Sequence, residues 1–184
     1  MVKYLDIPIQ HVNDGILRRM RRPETAAGIR ALFQKLREKI DGVVLRTSLI
    51  VGLPGEGEAE FNELLDFLRE QRLPRAGVFT YSPQEGTDAA EMPDRCSADE
   101  AEARRRTVME LQCRIMDDYD QQQIGKTFQV LCEGQEDGFW YGRRYADSPD
   151  IDEVVVFSGD AVPGEFAQVQ ITDFQDGRLI GEVI

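Results

Sequence analysis

Residues 43–57 read VVLRTSLIVGLPGEG, and the organisation of the chain follows from them. Val43 to Val51 is a nearly continuous β-branched and apolar run, the pattern of a strand buried on both faces, as a parallel sheet requires. The turn Gly52-Leu53-Pro54-Gly55-Glu56 ends it, and Phe61, Leu64, Leu65 and Leu68 then share one face of a helix. Working outward, Ala76 to Ser82 (AGVFTYS) predicts the following strand and Tyr4 to Ile9 an earlier one. Two helices separate that earlier strand from residue 43. Asn13 can cap the first, which carries Ile16, Leu17 and Met20 on one face and ends in Arg18, Arg19, Arg21 and Arg22, where cations suit the helix dipole. Pro23 interrupts it, and the cluster of arginines reads as a solvated helix end. The second helix spaces Ile29, Leu32, Phe33, Leu36 and Ile40 along one stripe and stops at Gly42. Strands alternating with helices at this spacing predict βαβ units and a parallel sheet.

Beyond residue 90 the texture changes twice. Ser97-Ala98-Asp99-Glu100 is a capping box that launches a long helix to about Gln122, with Val108, Leu111 and Ile115 as a narrow apolar stripe. The glutamines 121–123 mark a boundary, giving expected domains of 1–122 and 123–184. The second contains five short β-rich runs, Thr127–Cys132, Phe139–Tyr145, Glu153–Phe157, Phe166–Thr172 and Leu179–Ile184, separated by Gly and Asp turns. Five short strands in about 60 residues predict a small all-β barrel.

Composition narrows the function classes. The chain has 184 residues, 41% hydrophobic and 30% charged, which suits a packed core and excludes wholesale disorder. No apolar run approaches the roughly 20 residues that cross a bilayer. MVKYLDIPIQ lacks the basic-then-apolar layout of a secretory signal, so the expected location is the cytoplasm. Cys96, Cys113 and Cys132 match no zinc-knuckle, CxxC or disulfide spacing, and with His11 as the one histidine a self-contained metal site is not expected. Lys plus Arg number 22 against 34 Asp plus Glu, a net charge of −12. Such a surface repels phosphate backbones over about 8–10 Å and favours basic partners. The imbalance is concentrated in residues 123–184, where twelve acidic groups face four basic ones (Lys126, Arg143, Arg144, Arg178), a net of −8.

Three predicted strand ends carry polar or aromatic groups on one rim: Gln10 and His11, the Gly52–Glu56 turn, and Tyr81 with Ser82. Ligands of α/β folds gather at the carboxyl ends of strands, and glycines there let a ligand approach the backbone. Each feature also has a plain reading: a βα loop for the turn, a structural core residue for the lone histidine. Arg46 stands inside an apolar strand, where a buried guanidinium needs a carboxylate such as Asp6 or a ligand anion.

Taken together, YLDIPIQH (4–11), ILRRMRRP (16–23), LRTSLIVGLPGE (45–56), FTYSPQEGTDAA (79–90) and DSPDID (147–152) resemble the methylthiotransferase family of radical S-adenosylmethionine enzymes over nearly the whole chain. YLDIPIQH, the glutamate in YSPQEGT and the DSPDID segment look most like its RimO branch. The tRNA-modifying, MiaB-like branch typically reads closer to HLPVQSGS in the first block and has arginine near Gln84 and Glu85. The resemblance implies a fold: the C-terminal half of a radical-SAM β/α partial barrel followed by a TRAM-type β-barrel. It also implies an activity, transfer of a methylthio group to the β-carbon of an aspartate in protein twelve of the small ribosomal subunit.

The family's cofactors are S-adenosylmethionine and, in the full-length enzyme, two [4Fe–4S] clusters, one held by a CxxxCxxC loop. No CxxxCxxC occurs in this chain, so the segment is expected to begin near the fourth barrel strand and to be inactive alone. The family's adenine-binding segment, similar to GLPGE, points to Val51 and Gly52 through their backbone, with Pro54 shaping the turn. Gln10 and Arg46 are candidates for the ribose or methionine portion, and Tyr81 for lining the site. Glu56 falls one residue later than the strict GxIxGxxE pattern, which argues against direct contact with the cofactor. The expected partner is a basic ribosomal protein docking on the acidic barrel, since complementary fields raise on-rates. A tRNA methylthiotransferase with a basic spot at Arg143 and Arg144, or a non-catalytic protein-binding module, are the alternatives. The exposed edges of a half barrel further predict self-association.

Overall fold

A computed structural model describes residues 2–184 of the chain. It divides into two compact units, Leu5–Met116 and Asp117–Ile184, the residues up to Tyr4 grouping with the second. The elements of the first are β1 (Tyr4–Asp6), α1 (Asp14–Arg19), α2 (Ala26–Lys39), β2 (Val44–Val51), α3 (Glu58–Gln71), β3 (Arg75–Thr80), α4 (Asp88–Glu91) and α5 (Ala98–Gln121), the last running across the boundary. The second unit then contains β4 (Thr127–Glu136), β5 (Phe139–Arg143), β6 (Val155–Ser158), β7 (Phe166–Gln175) and β8 (Arg178–Val183).

In the first unit the sheet order is β1-β2-β3, with β2 central and parallel to β3 from Arg46 beside Arg75 to Val51 beside Thr80. Burial on both faces explains the unbroken apolar run: Val44, Leu45, Leu49 and Val51 are all buried. Past β1, the backbone continues along β2 although Pro8 interrupts the ladder, with Gln10 N–H donating to Ser48 O (2.9 Å) and Ile50 N–H to Gln10 O (2.8 Å). The core gathers Leu17, Ile29, Phe33, Leu64, Phe67 and Leu68 from the helices with Val108 and Ile115 from α5. Asn13 caps α1 as its sequence promises, its side chain accepting from the Gly15 and Ile16 N–H groups. On α2 the buried stripe is narrower than the spacing implies: Ile29 and Phe33 are buried but Leu32 is 43% exposed.

The second unit is a closed barrel of order β4-β5-β6-β8-β7, antiparallel throughout except for the parallel β6–β8 pair. Val130, Cys132, Val155, Phe157, Val169, Ile171 and Leu179 fill it. β4 and β7 each run to ten residues, beyond the ends their sequence suggests. Register shifts at Cys132/Gly134 and Ile171/Asp173 break the in–out alternation, so the far halves no longer read as strand. Asp137-Gly138 and Asp176-Gly177, all four with positive φ, close these strands into tight hairpins with β5 and β8. Cys96, Cys113 and Cys132 are free thiols. Among the described residues no helix is long and apolar enough to cross a membrane.

Candidate functional site

The carboxyl-terminal rim of the parallel sheet brings together Gln10, Val51, Gly52 and Tyr81. The Tyr81 N–H donates to Val51 O (2.8 Å), joining the ends of β2 and β3, while Gln10 bridges Leu49 on the other side. Gln10 adopts φ +68°, a left-handed conformation that side-chain-bearing residues seldom take and that favours glycine. The phenolic oxygen of Tyr81 is buried without a hydrogen-bond partner, an unsatisfied group of the kind a ligand can answer. Pro54 is buried within the turn. Arg46 is not on this rim. It is buried in β2 five residues before Val51, roughly 16 Å away along the strand at about 3.3 Å per residue.

Beneath the rim lies a polar cluster that the motif spacing does not reveal. Glu56 is 4% exposed, and both its carboxylate oxygens accept from the Gly52 N–H at 3.1 Å. Arg104 of α5 donates through Nη1 to Glu56 Oε1 (2.8 Å) and to the Glu56 backbone oxygen (2.7 Å), and it pairs through Nη2 with Glu100. Its guanidinium also lies 5.4 Å from the centre of the Phe61 ring. On the opposite side stands fully buried His11, whose Nδ1 accepts from the Asn13 N–H (3.0 Å). Its Nε2 stands 3.6 Å from Glu56 Oε2. Burial would push the Glu56 carboxyl up, but the neighbouring His11 imidazole, the Gly52 N–H and Arg104 outweigh it and hold Glu56 below the usual carboxylate range. Burial likewise opposes the charge on Arg104, and its bond to Glu56 reverses that balance and raises it.

The cluster fixes the turn. Gly52 has φ +78°, and a Cβ there would stand 2.6 Å from the Ala101 Cβ and 3.1 Å from Cys96 Sγ, so α5 closes over this glycine. The arginines at the end of α1 stay largely exposed, as a solvated helix end should, while Arg19 packs over Gly55, Arg22 donates to Pro8 O (2.8 Å) and Arg21 pairs with Asp88. Arg104 and Gln112 escape sequence reading because polar residues within a charged helix read as solvent-facing. Yet both are buried on the Val108–Ile115 side, Gln112 donating to Leu73 O at 2.9 Å.

On the barrel, neither arginine of the alternative basic spot is available. Arg144 is buried, bonded to Asp147 (2.8 Å) and Asp120 (3.1 Å), with Phe128 5.2 Å below its guanidinium. Its pKa is driven up because the two carboxylates outweigh the desolvation that opposes its charge. Arg143 donates to Glu133 (2.6 Å) and Arg178 to Glu153 (2.9 Å).

Two family models match the chain: the radical SAM superfamily over residues 1–68 and the TRAM domain over residues 124–184. Three curated relatives, each a ribosomal protein uS12 methylthiotransferase RimO, align end to end. That of Acetivibrio thermocellus is 47% identical over 100% of this chain, that of Geotalea uraniireducens 45% over 99%, and that of Clostridium novyi 44% over 98%. This chain matches the C-terminal part of RimO-like radical SAM methylthiotransferases that end in a TRAM domain. It spans 41–42% of the length of these RimO relatives and corresponds to their C-terminal part. Among solved structures, coproporphyrinogen III oxidase (HemN) from Escherichia coli, a radical SAM enzyme, superposes on 91% of the chain with a TM-score of 0.51 at 17% identity, covering 41% of its own length. That likeness concerns fold alone: a parallel β/α segment of radical-SAM type.

The radical SAM family implies S-adenosylmethionine and iron–sulfur clusters. A cluster does not fit the residues present, since among the described residues no group of three or more Cys, His, Asp or Glu is placed to hold a metal. S-adenosylmethionine fits the rim in one respect: the Tyr81 hydroxyl, on the same sheet rim as Gln10 and the Val51–Gly52 backbone, has no hydrogen-bond partner among the described residues. The Gly52 N–H, however, is already taken by Glu56, so the backbone left for an adenine is that around it.

Proposed function

We propose that this chain is the C-terminal part of an enzyme that replaces one hydrogen on the β-carbon of a ribosomal-protein aspartate with a methylthio group. End-to-end identity of 42–47% with RimO relatives carries this reading. The first domain, 1–122, supplies one side of the cofactor rim, where Tyr81, Gln10 and the backbone of Val51 and Gly52 bind and orient S-adenosylmethionine and Pro54 keeps the turn rigid. When bound, that cofactor supplies a radical able to abstract hydrogen from an unactivated carbon. Arg46, buried in β2 away from the rim, stiffens that strand. The cluster ligands lie in parts of the enzyme outside this chain, which alone performs no chemistry. The acidic domain, 123–184, docks the basic substrate protein in the cytoplasm.

The intact enzyme carrying this chain, given S-adenosylmethionine, a sulfur source and a reductant, should convert one aspartate of uS12, read as the mass of a methylthio group less one hydrogen. Methylthiolation of tRNA adenosine with uS12 untouched would overturn the reading. In the same enzyme, Gly52→Val should weaken S-adenosylmethionine binding measured by equilibrium dialysis while Arg46→Ala, buried in β2 away from the rim, should not, and unchanged affinity in Gly52→Val would remove that residue from the site.

A further inference from the structure

We propose that a pocket on the flank of the barrel receives an arginine or lysine side chain from the basic partner. The inference rests on the docking role proposed above and gives it an address. A cavity of about 390 Å³ opens between β5 and β6, walled by Phe139, Trp140, Tyr141 and Val156. Two of its walls are held in place. Trp140 Nε1 donates to Gly159 O (2.9 Å), and the Tyr141 phenol lies against Gly134, where any side chain would collide with it. Phe139 is half exposed, so the pocket presents aromatic faces to solvent.

One end of this cavity is closed by Glu136 and Asp137 at the β4–β5 turn. Among the described residues these two carboxylates have no ion pair or side-chain hydrogen bond. The barrel's arginines, by contrast, are all engaged: Arg143 with Glu133, Arg144 with Asp147 and Asp120, and Arg178, which borders the pocket, with Glu153. Aromatic faces attract a cation through their quadrupole, and an unpaired carboxylate pair at the far end can accept its N–H groups. An apolar stem between the rings with a cationic head on the acids is the shape of an arginine or lysine side chain. A phosphate would meet Glu136 and Asp137, while the one cation of the lining, Arg178, is already paired with Glu153.

The chain's one tryptophan is Trp140, which lines this pocket and also a second cavity beside Asp160 and Glu165, so its emission is read together with the carboxylate variants below. The 184-residue chain would be titrated with an acetylated Gly-Arg-Gly-Arg-Gly peptide and with its citrulline counterpart, which keeps the shape without the charge. The arginine peptide should shift Trp140 emission saturably and the citrulline peptide should not. The Glu136→Gln/Asp137→Asn pair should weaken binding about fivefold or more, while Asp176→Asn/Glu182→Gln, the same charge change elsewhere on the barrel, should weaken it less than about twofold. Asparagine tolerates the left-handed backbone of Asp137 and Asp176, which keeps both variants folded. No emission change, or equal weakening by both pairs, overturns the pocket. If uS12 still binds the chain in a salt-sensitive way while Trp140 stays silent, the pocket fails and the docking role survives. If uS12 does not bind either, the docking role fails as well.

Discussion

Replacing Glu56 by glutamine removes the charge that Arg104 and the Gly52 N–H both address, and it should destabilise the first unit by about 1.5–3 kcal/mol, because the buried guanidinium keeps only the half-exposed Glu100 as a charged partner. The pH dependence has a definite sign. Since folding lowers the Glu56 pKa, its contribution is complete above its unfolded value of about 4.3 and drains away as pH falls through the lower folded value. Acid-induced unfolding followed by circular dichroism should therefore be less steep below about pH 4.3 in Glu56→Gln. An identical acid limb would show that the carboxylate is not held as described. Gly52→Ala should cost about 2–4 kcal/mol in thermal unfolding, combining a left-handed backbone with a methyl 2.6 Å from the Ala101 Cβ. At this scale the sequence is legible for rim residues adjacent in the chain and silent on their support. Glycines and a strand-end Gln-His stand out by type. The partner of Glu56 is 48 residues away on another helix, and local spacing carries no trace of it.

The elements follow local pattern wherever pattern and environment agree. The doubly buried β2, the Asn13 cap and the apolar face of α3 can all be read from residue order because each depends on neighbours within a turn or two. Ser97 likewise caps α5 by accepting the Glu100 N–H at 3.1 Å, although the Glu100 carboxylate turns to Arg104. The barrel strands are recognisable too, but their lengths are not, since bulges in β4 and β7 invert the alternation on which strand reading depends. The buried role of Arg144 is a second loss. Adjacent arginines beside acidic residues look like surface, and only closure of the barrel turns one inward onto Asp147 and Asp120. Asp147→Ala should therefore unfold the barrel more readily, by about 3–5 kcal/mol, in denaturant titrations that follow Trp140. A cost below about 1 kcal/mol would mean the pair is solvated like a surface bridge.

At the scale of the whole molecule, charge and open edges decide behaviour. The first unit's sheet has three strands, and on its edge strand β3 the apolar side chain of Phe79 is 59% exposed. Such an edge favours pairing with another copy. Light scattering should show mass rising with concentration, and Phe79→Lys should reduce that rise. A strictly monomeric mass at high concentration would contradict the expectation. The net charge of −8 over residues 123–184 was legible by counting, but its meaning depends on structure: with Arg143, Arg144 and Arg178 all paired, the free charge on the barrel is acidic. The account stands or falls on what that surface binds. The most direct measurement is equilibrium binding of the 184-residue chain to uS12 and to bulk tRNA across a salt series. The account predicts binding to uS12 that weakens steeply with salt, and none to tRNA. Preferential binding to tRNA would contradict it.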